Sequence, residues 1–257
     1  VERITGADER PGFIQQPLPN LSALASLPST VEVFVQNQLR TVTQVPAGPF
    51  TLDSVPVISG AGDARVVVRD ALGRESVVTS SFYVAGGLLR PGLTDWNVGA
   101  GKLRDDFGGD PNYSRAYATG LIRRGITNAL TLEGRVEFEN ERTKVVGGAV
   151  DVGGLWGEFE VTGGLASVDG IGSRYLGGLG YRYVTLDYNL GLRWVEAQQG
   201  FRLPGDTDTD PSPTRLVTLN GGARIGDRWS AGVALLAIDR QAGRSEERRV
   251  GKECRSR

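Results

Sequence analysis

The chain has 257 residues, with 29 Lys and Arg against 30 Asp and Glu, no His, no Met and a single Cys, Cys254. Catalysis by an imidazole base is excluded, because histidine is the side chain that titrates near neutral pH. One cysteine also excludes a disulfide within the chain and Cys/His zinc sites. No segment approaches the roughly 18 apolar residues of a membrane-spanning helix. Glycine contributes 37 residues, about twice its average share, and helices tolerate glycine badly.

The two ends of the sequence differ from the rest. No charged, apolar and small-residue signal segment follows Val1, so we expect a fragment whose natural N-terminus is missing. Residues 244–257 (RSEERRVGKECRSR) carry six basic and three acidic side chains and look, residue for residue, like a translated sequencing adapter. We expect this tail to be non-native, which leaves 23 basic residues (29 less 6) and 27 acidic ones (30 less 3). The alternative is a nucleic-acid-binding tail, but acids interrupt its basic surface, and we expect no nucleic-acid partner.

Residues 22–85 predict a small β-sandwich with short strands and strong turns. Three valines, Val31, Val33 and Val35, alternate with Glu32 and Phe34, and a polar strand follows over residues 39–45. The segment 45–50 (VPAGPF) must turn, because its two prolines lack backbone donors. Residues 64–70 and 75–83 flank Ala71-Leu72-Gly73, a three-residue hairpin loop with glycine available for the left-handed position.

Beyond residue 93 the pattern changes to long strands whose two faces differ in polarity. Between residues 130 and 139, Leu130, Leu132, Val136 and Phe138 fall on one face, opposite Thr131 and four charged side chains. We predict nine strands, at about 94–104, 114–124, 130–139, 144–152, 155–166, 174–183, 186–195, 214–225 and 229–238. Strands of about ten residues are long enough to cross a bilayer when tilted.

The connections between these strands alternate in length. Short ones are predicted at 125–129, 153–154, 184–185 and 226–228, and longer ones at 105–113, 140–143, 167–173 and 196–213. Short periplasmic turns and longer outer loops are typical of outer-membrane barrels. Aromatic side chains near strand ends suit an interfacial girdle. They are Trp96, Trp156, Tyr183, Trp194 and Trp229.

The predicted fold class is therefore all-β, with part of a large transmembrane antiparallel β-barrel, since backbone groups in lipid must all be paired and such a sheet has to close. A soluble antiparallel sandwich alternates in the same way and is the alternative. In the barrel, the charged face lines a wet lumen. The predicted lumen-facing residues are Glu133, Arg135, Glu137, Glu158, Glu160, Arg174, Arg182, Asp187 and Arg193.

Three segments resemble ligand-binding motifs, but each lacks residues that the motif requires. Gly60-Ala61-Gly62 lacks the third glycine of a dinucleotide loop, and Gly101-Lys102 is not followed by Ser or Thr. The aspartates at 206, 208 and 210 have the spacing of a calcium loop, but its turn glycine and closing glutamate are missing. We expect no catalytic residue, no cofactor and no metal site, and therefore no enzyme.

Four segments carry a resemblance to a known family. The stretches 45–50 (VPAGPF), 60–75 (GAGDARVVVRDALGRE), 88–92 (LLRPG) and 101–104 (GKLR) resemble the outer-membrane ushers of the chaperone-usher pilus pathway. The resemblance covers residues 10–240 and departs visibly at Ala47, where the family more often has proline. It implies a β-sandwich plug inserted between barrel strands. The plug motif positions are Pro46, Gly48, Pro49, Phe50, Asp70, Gly73 and Glu75.

That resemblance also implies a domain order and a function. Residues 1–21 are expected to end an early barrel strand and lead into the plug at 22–85, with barrel strands over 86–243. An usher in the bacterial outer membrane takes complexes of periplasmic chaperone and pilus subunit, exchanges subunits in order without a nucleotide, and secretes the fibre. Its partners are those complexes and outer-membrane lipid. The alternatives are a porin or transporter barrel with a periplasmic β-module, and a soluble surface adhesin.

Overall fold

A computed structural model describes residues 14–105, 112–140, 142–207, 211–226, 228–240, 245–250 and 255–256. The elements in these ranges are all β-strands, and they form three antiparallel sheets. Within the same ranges no helix has the length and apolar character to cross a membrane.

The first two sheets together make a sandwich domain. Its strands are β1 (Leu21–Ala25), β2 (Ser29–Val35), β3 (Gln38–Val45), β4 (Gly48–Leu52), β5 (Gly60–Asp70) and β6 (Glu75–Val84). One sheet has the order β3-β2-β5-β6, and β1 pairs with β4 in the other. The predicted alternation in β2 is confirmed, since Val31, Val33 and Val35 are fully buried. They pack with Phe82 from one sheet and Leu21 from the other, which closes the core between the sheets.

The hairpin joining β5 and β6 turns as the sequence predicts. Gly73 has a φ of 82°, a left-handed conformation that glycine adopts without penalty. The Asp70 carboxylate accepts hydrogen bonds from the backbone N–H groups of Arg74 and Leu72, both at 2.9 Å. Because it is bonded chiefly by Arg74, through backbone and side chain, the pKa of Asp70 lies below its ordinary value. The carboxylate thus fixes the tip of the hairpin.

The third sheet contains the long strands. They are β7 (Thr94–Asp105), β8 (Asn112–Thr127), β9 (Leu130–Glu139), β10 (Thr143–Gly154), β11 (Gly157–Val168), β12 (Gly172–Val184), β13 (Tyr188–Ala197), β14 (Arg215–Ile225) and β15 (Trp229–Asp239). Each pairs antiparallel with the next in chain order. The nine predicted strands are therefore confirmed, in an up-and-down sheet.

Two short strands follow that the sequence does not predict. They are β16 (Ser245–Val250) and β17 (Arg255–Ser256), in the tail, and both pair with β15. The alternation of polar and apolar residues does not predict them. They pair with β15 because an edge strand offers unpaired backbone groups to any extended segment nearby.

The pairing register separates the two faces of this sheet. Val136 on β9 stands opposite Val146 on β10, whereas Glu133 stands opposite Ala149. One face is an exposed apolar surface that includes Leu132, Val136, Phe138, Phe159, Val161, Leu165, Leu179, Leu190 and Leu192. The opposite face, which we call the charged face, holds the acidic and basic side chains described below.

Several short connections differ in position from the prediction. Gly153 and Gly154 lie inside β10, and the turn consists of Leu155 and Trp156. Gly125 likewise lies inside a strand, β8. Gly125 and Gly153 allow the close approach of another segment, described below, so treating them as turn residues was wrong. β13 begins at Tyr188, two residues later than predicted, which leaves Asp187 in the preceding turn.

Candidate functional site

The charged face brings together eight of the nine residues predicted to line a lumen. By strand register they share one side of the sheet. They are Glu133, Arg135, Glu137, Glu158, Glu160, Arg174, Arg182 and Arg193. The ninth, Asp187, lies in the turn before β13, where its carboxylate pairs with Arg224.

The middle of the charged face holds partly exposed, loosely paired charges. Arg135 has a nitrogen 3.4 Å from Glu133 and another 3.7 Å from Glu137. Arg193 lies 3.6 Å from Glu160, with more than a third of each side chain exposed. Exposed pairs of this kind contribute little to stability, about 0–1 kcal/mol each. Their main effect is to keep this surface polar and hydrated.

Near the short turns, the charged face is covered by the segment between the sandwich domain and β7. We call residues 85–93 the connecting segment. Its Leu88 and Leu89 are each 2% exposed. The Leu89 N–H donates to the Thr131 hydroxyl at 2.8 Å, and Thr131 is fully buried. The Arg123 guanidinium donates to the Gly87 carbonyl at 2.6 Å. Backbone and side chains of the connecting segment are therefore both held by the sheet.

Two charge clusters lie beneath Gly87. Arg123 has nitrogens 3.3 Å from Glu133 and 3.3 Å from Asp151. Arg182 bonds both oxygens of Glu158 at 2.9 Å, and a Cβ added at Gly87 would collide with that carboxylate. Because Asp151 and Glu158 are only 5% and 6% exposed, loss of either basic partner would leave a costly buried charge.

Glycines in the wall make room for the connecting segment. A Cβ at Gly125 would collide with the carbonyl oxygens of Leu89 and Arg90. A Cβ at Gly153 would lie 2.8 Å from a methyl carbon of Leu88 and 2.9 Å from the Ala85 Cβ. The backbone of the segment is bonded at this point too, since the Gly92 N–H donates to the Gly125 carbonyl at 2.9 Å. Any side chain at these positions would push the segment off the wall.

We expect Gly125→Ala to lower the free energy of unfolding by about 1–3 kcal/mol, the usual cost of overpacking. The new methyl group meets backbone oxygens, which cannot move aside as a flexible side chain can. Gly101→Ala is the matched control, because Gly101 lies on the same face with open space around it, and we expect a change within about 0.5 kcal/mol. Urea unfolding of the lipid-reconstituted protein measures both. Equal effects would contradict close packing at Gly125.

The sandwich domain itself contacts the sheet through β5 and β6, which lie near β12 and β10. The ring of Tyr83, at the end of β6, stacks on Tyr183 of β12 with centroids 5.4 Å apart. Its hydroxyl donates to the Arg182 carbonyl at 3.2 Å. A Cβ on Gly60 would lie 2.9 Å from the Val184 carbonyl oxygen. These contacts sit at the rim where the short turns lie.

The predicted motif positions of the sandwich domain shape that domain from within. Pro46 lies between β3 and β4, and Gly48 begins β4 with a φ of 127°. Pro49 pairs with Leu24 across the edge, and Phe50 packs against the core. Glu75 binds Arg69 at 2.6 Å, in an exposed pair on the hairpin. Asp70 and Gly73 form the hairpin tip described above.

At the opposite end of the charged face, the loop between β13 and β14 folds over the sheet. Phe201 is 1% exposed and packs with Val145 and Ala166. Arg174 donates to the Gln199 carbonyl at 2.9 Å. Glu139, also 1% exposed, accepts from Arg115 at 2.6 Å and from the Gly205 N–H at 3.0 Å. A buried carboxylate thus ties the loop to β8 and β9.

The charged face is a polar wall that is covered at one end by the connecting segment and at the other by the loop between β13 and β14. Within the described ranges, no group of His, Cys, Asp and Glu side chains could hold a metal ion. Asp206 is used by the loop itself, because it accepts from the Leu203 and Ser212 N–H groups at 2.9 Å. Asp208 and Asp210, the other aspartates of the calcium-like spacing, lie outside the described residues.

Sequence reasoning missed the residues that hold the connecting segment. Arg123, Thr131 and Asp151 lie on the charged face, but nothing in their alternation separates them from the ordinary wall. The one available signal was the pair of glycines, Gly125 and Gly153, which lie where strands should continue. An isolated glycine in a strand pattern indicates a bulge or the close approach of another backbone.

Comparisons with known proteins agree with this architecture. The sequence profile of the family described as "Outer membrane usher protein" matches residues 15–163. The chain is 29% identical over 222 residues to the outer membrane usher protein FaeD of Escherichia coli, covering 84% of this chain and 26% of FaeD. It is 32% identical over 117 residues to the outer membrane usher protein FimC of Bordetella pertussis, covering 45% and 13%. The chain thus spans about a quarter or less of these relatives' lengths.

Solved structures show the same fold. The translocation pore of the P pilus usher PapC aligns with a TM-score of 0.53 and 17% identity, over 93% of this chain and 51% of that one. A chain of the E. coli P pilus tip assembly intermediate PapC-PapD-PapK-PapG aligns with a TM-score of 0.56 and 18% identity, over 93% and 30%. The predicted fold class, part of a β-barrel with an inserted β-sandwich, is confirmed.

The names of the relatives confirm the predicted location in the bacterial outer membrane. The family profile matches more than half of the residues, and it spans the sandwich domain, the connecting segment and the first strands of the long sheet. The chain belongs to the outer membrane usher protein family.

Proposed function

We propose that the intact protein is the secretion pore for pilus subunits, which a periplasmic chaperone delivers and which are assembled in order at the membrane. The sandwich domain is its plug, and the strands over residues 86–243 form part of the pore wall. The protein performs no covalent chemistry. One observation carries the proposal, namely that a folded domain lies at the short-turn rim of a barrel-type sheet and is tied to its charged face by the connecting segment.

The position of the plug supports this function. The sandwich domain enters β7 directly through the connecting segment, which crosses the charged face from Arg123 on β8 to Glu158 on β11. Short turns mark the periplasmic rim of such barrels, so the plug is attached on the side from which subunits arrive. We propose that in the closed barrel it blocks the path that a secreted fibre needs.

The charge on the wall also suits protein transport. Glu133, Arg135 and Glu137, together with Glu160 and Arg193, present both signs of charge with their side chains partly exposed. A hydrated wall of mixed charge gives a passing folded subunit few apolar surfaces to adhere to. We propose that the lumen-facing set predicted from the sequence acts in this way, with Asp187 at the rim.

Deleting residues 22–84 from the complete protein tests the proposal. We expect the deletion variant, reconstituted in planar bilayers, to show sustained large-conductance openings that the parent lacks, because the plug no longer fills the path. A matched control, Asp70→Ala, changes only the hairpin tip and should leave conductance at the parental level. Cells that produce the deletion variant should fail to retain periplasmic contents.

The main alternative is a porin or transporter barrel with a periplasmic module, and the same deletion separates the two. In a porin the pore is already open, so removing the module would leave the conductance unchanged. A second readout is surface display of pilus subunits in cells that also produce the matching chaperone. The proposal predicts display by the parent, and a parent that displays none in such cells would contradict it.

A further inference from the structure

We propose that the apolar face of the long sheet carries a binding site for a phosphate-bearing lipid headgroup at its outer end, between β7 and β11. The outer end is the end of the strands at which the longer connections lie. The ligand class is a phosphorylated glycolipid of the outer leaflet, and Lys102 and Lys144 recognise its phosphates. The site lies on the side of the sheet opposite the charged face, and the inference does not depend on pilus secretion.

The first observation is the position of the two lysines within the described ranges. Lys144 stands opposite Phe138, on the apolar face. Lys102 lies on the same face, because it follows Ala100 by two residues, and Ala100 is in register with Ala118, which stands opposite Phe138. Both lysines are exposed. They lie near the outer ends of β7 and β10, the side of such barrels that faces away from the periplasm.

The second observation is that these lysines lack acidic partners. Within the described ranges no carboxylate pairs with either ammonium group, whereas Arg123, Arg182 and Arg193 on the charged face each lie no more than 3.6 Å from a glutamate. The Lys144 Nζ atom lies 5.8 Å from the centre of the Phe138 ring. That contact leaves the donors of the ammonium group available to an anion.

A cavity of about 560 Å³ lies beside Lys144. Its lining includes Lys144, Phe138, Arg142, Ser167 and Asp169, and Ser167 stands directly opposite Lys144 on β11. Two basic groups and a hydroxyl are the donors that a phosphate group requires. The Asp169 carboxylate offsets one of the two positive charges, so the cavity keeps a net positive charge.

The surface next to this cavity, towards the middle of the strands, is apolar. Val146 stands opposite Val136 and Leu165, and Leu165 stands opposite Tyr175. These four side chains are between 55% and 59% exposed. Two residues along a strand span about 7 Å, so acyl chains contact this row while the phosphate reaches Lys144, whose stem follows the apolar surface. A lipid fits both surfaces, whereas a free anion uses only one of them.

Other basic groups on the apolar face differ from these lysines in position or pairing. Arg124 lies by register at the periplasmic end, where aromatic rings such as those of Trp156 and Phe159 contact each other at 5.1 Å. Arg215 lies at the outer end, but its guanidinium is 3.7 and 3.5 Å from two carboxylates. The lysines therefore mark one sector of the outer end.

A binding titration of the complete protein in non-ionic detergent, with fluorescent bis-phosphorylated lipid A as the probe, tests the site. Lys102→Gln and Lys144→Gln each remove a charge and keep a polar side chain, and Lys144→Arg retains the charge. Arg124→Gln is the matched control, because it removes one positive charge from the opposite end of the same face. The three replaced side chains are exposed, so we expect all variants to fold, and thermal unfolding checks this.

We expect each lysine-to-glutamine change to weaken binding about fivefold, the size of one lysine contact with an anionic lipid, and the double variant to bind about 25-fold more weakly. Lys144→Arg and Arg124→Gln should leave the affinity at the parental level. Lipid A without its phosphates should bind the parent about as weakly as the bis-phosphorylated lipid binds the double variant.

Three results would overturn the inference. Unchanged binding by the double variant would remove the lysines from the site. Equal losses from Arg124→Gln and Lys144→Gln would reduce the effect to the overall charge of the protein. Displacement of the lipid by an excess of inorganic phosphate would indicate a site for the free anion, because inorganic phosphate has no acyl chains to contact the apolar row.

Discussion

Replacing Glu139 by alanine is expected to lower the free energy of unfolding by about 3–5 kcal/mol, the cost of breaking a buried ion pair from one side. Glu139 is 1% exposed and Arg115 has 14% of its side chain exposed, with 2.6 Å between their charged atoms. The substitution also takes an acceptor from the Gly205 N–H. The loop between β13 and β14 should therefore loosen together with the wall.

Urea unfolding of the complete protein in lipid vesicles measures this loss. Glu139→Gln keeps an oxygen that can accept from Gly205, so we expect it to lose less than Glu139→Ala. Glu196→Ala is the matched control, because Glu196 and Arg215 are about half exposed and 3.7 Å apart, and such pairs contribute about 1 kcal/mol or less. If Glu139→Ala and Glu196→Ala cost the same, Glu139 does not serve as a buried tie.

The second large effect is expected at Val136, on the apolar face of β9. Val136→Arg should make folding into a bilayer less favourable by about 2–4 kcal/mol, the cost of arginine facing lipid near the midplane. Val136 is 56% exposed in the structure and stands opposite Val146 and Gly120. Its surface belongs to the face that we assign to hydrocarbon.

Arg135→Val is the control for Val136→Arg, since it makes the reverse change one residue away on the charged face. Arg135 has half of its side chain exposed, and its pairs with Glu133 and Glu137 are long. We expect a small effect from this substitution. A titration of folding into lipid vesicles in which both substitutions cost equally would show that the assignment of the two faces is wrong.

The sequence determined the strands and their faces, and the physical reason is local. Alternation along β9 sends every second side chain to the same side of a pleated strand, so residues 130–139 reveal both faces without any tertiary information. The same holds for β2, whose valines at 31, 33 and 35 are buried as predicted. The hairpin at Gly73 follows from the conformation that glycine permits.

Boundaries that depend on another part of the chain were not predictable in this way. Gly125 and Gly153 look like turn residues in the sequence, yet they lie inside β8 and β10. Their role arises from Leu88, Leu89 and Arg90, which approach them from a distant segment. β13 begins after Asp187 because the preceding turn needs Thr185, whose hydroxyl accepts from the Asp187 and Tyr188 N–H groups.

Tertiary structure alone decided which charges of the wall hold the connecting segment. Glu133 and Glu137 look equivalent in the sequence, but only the first shares Arg123 with Asp151 beneath the connecting segment. Strand alternation tells which face a side chain occupies and nothing about what lies above it. That depends on how residues 85–93 cross the four strands from β8 to β11, a long-range arrangement that no local pattern encodes.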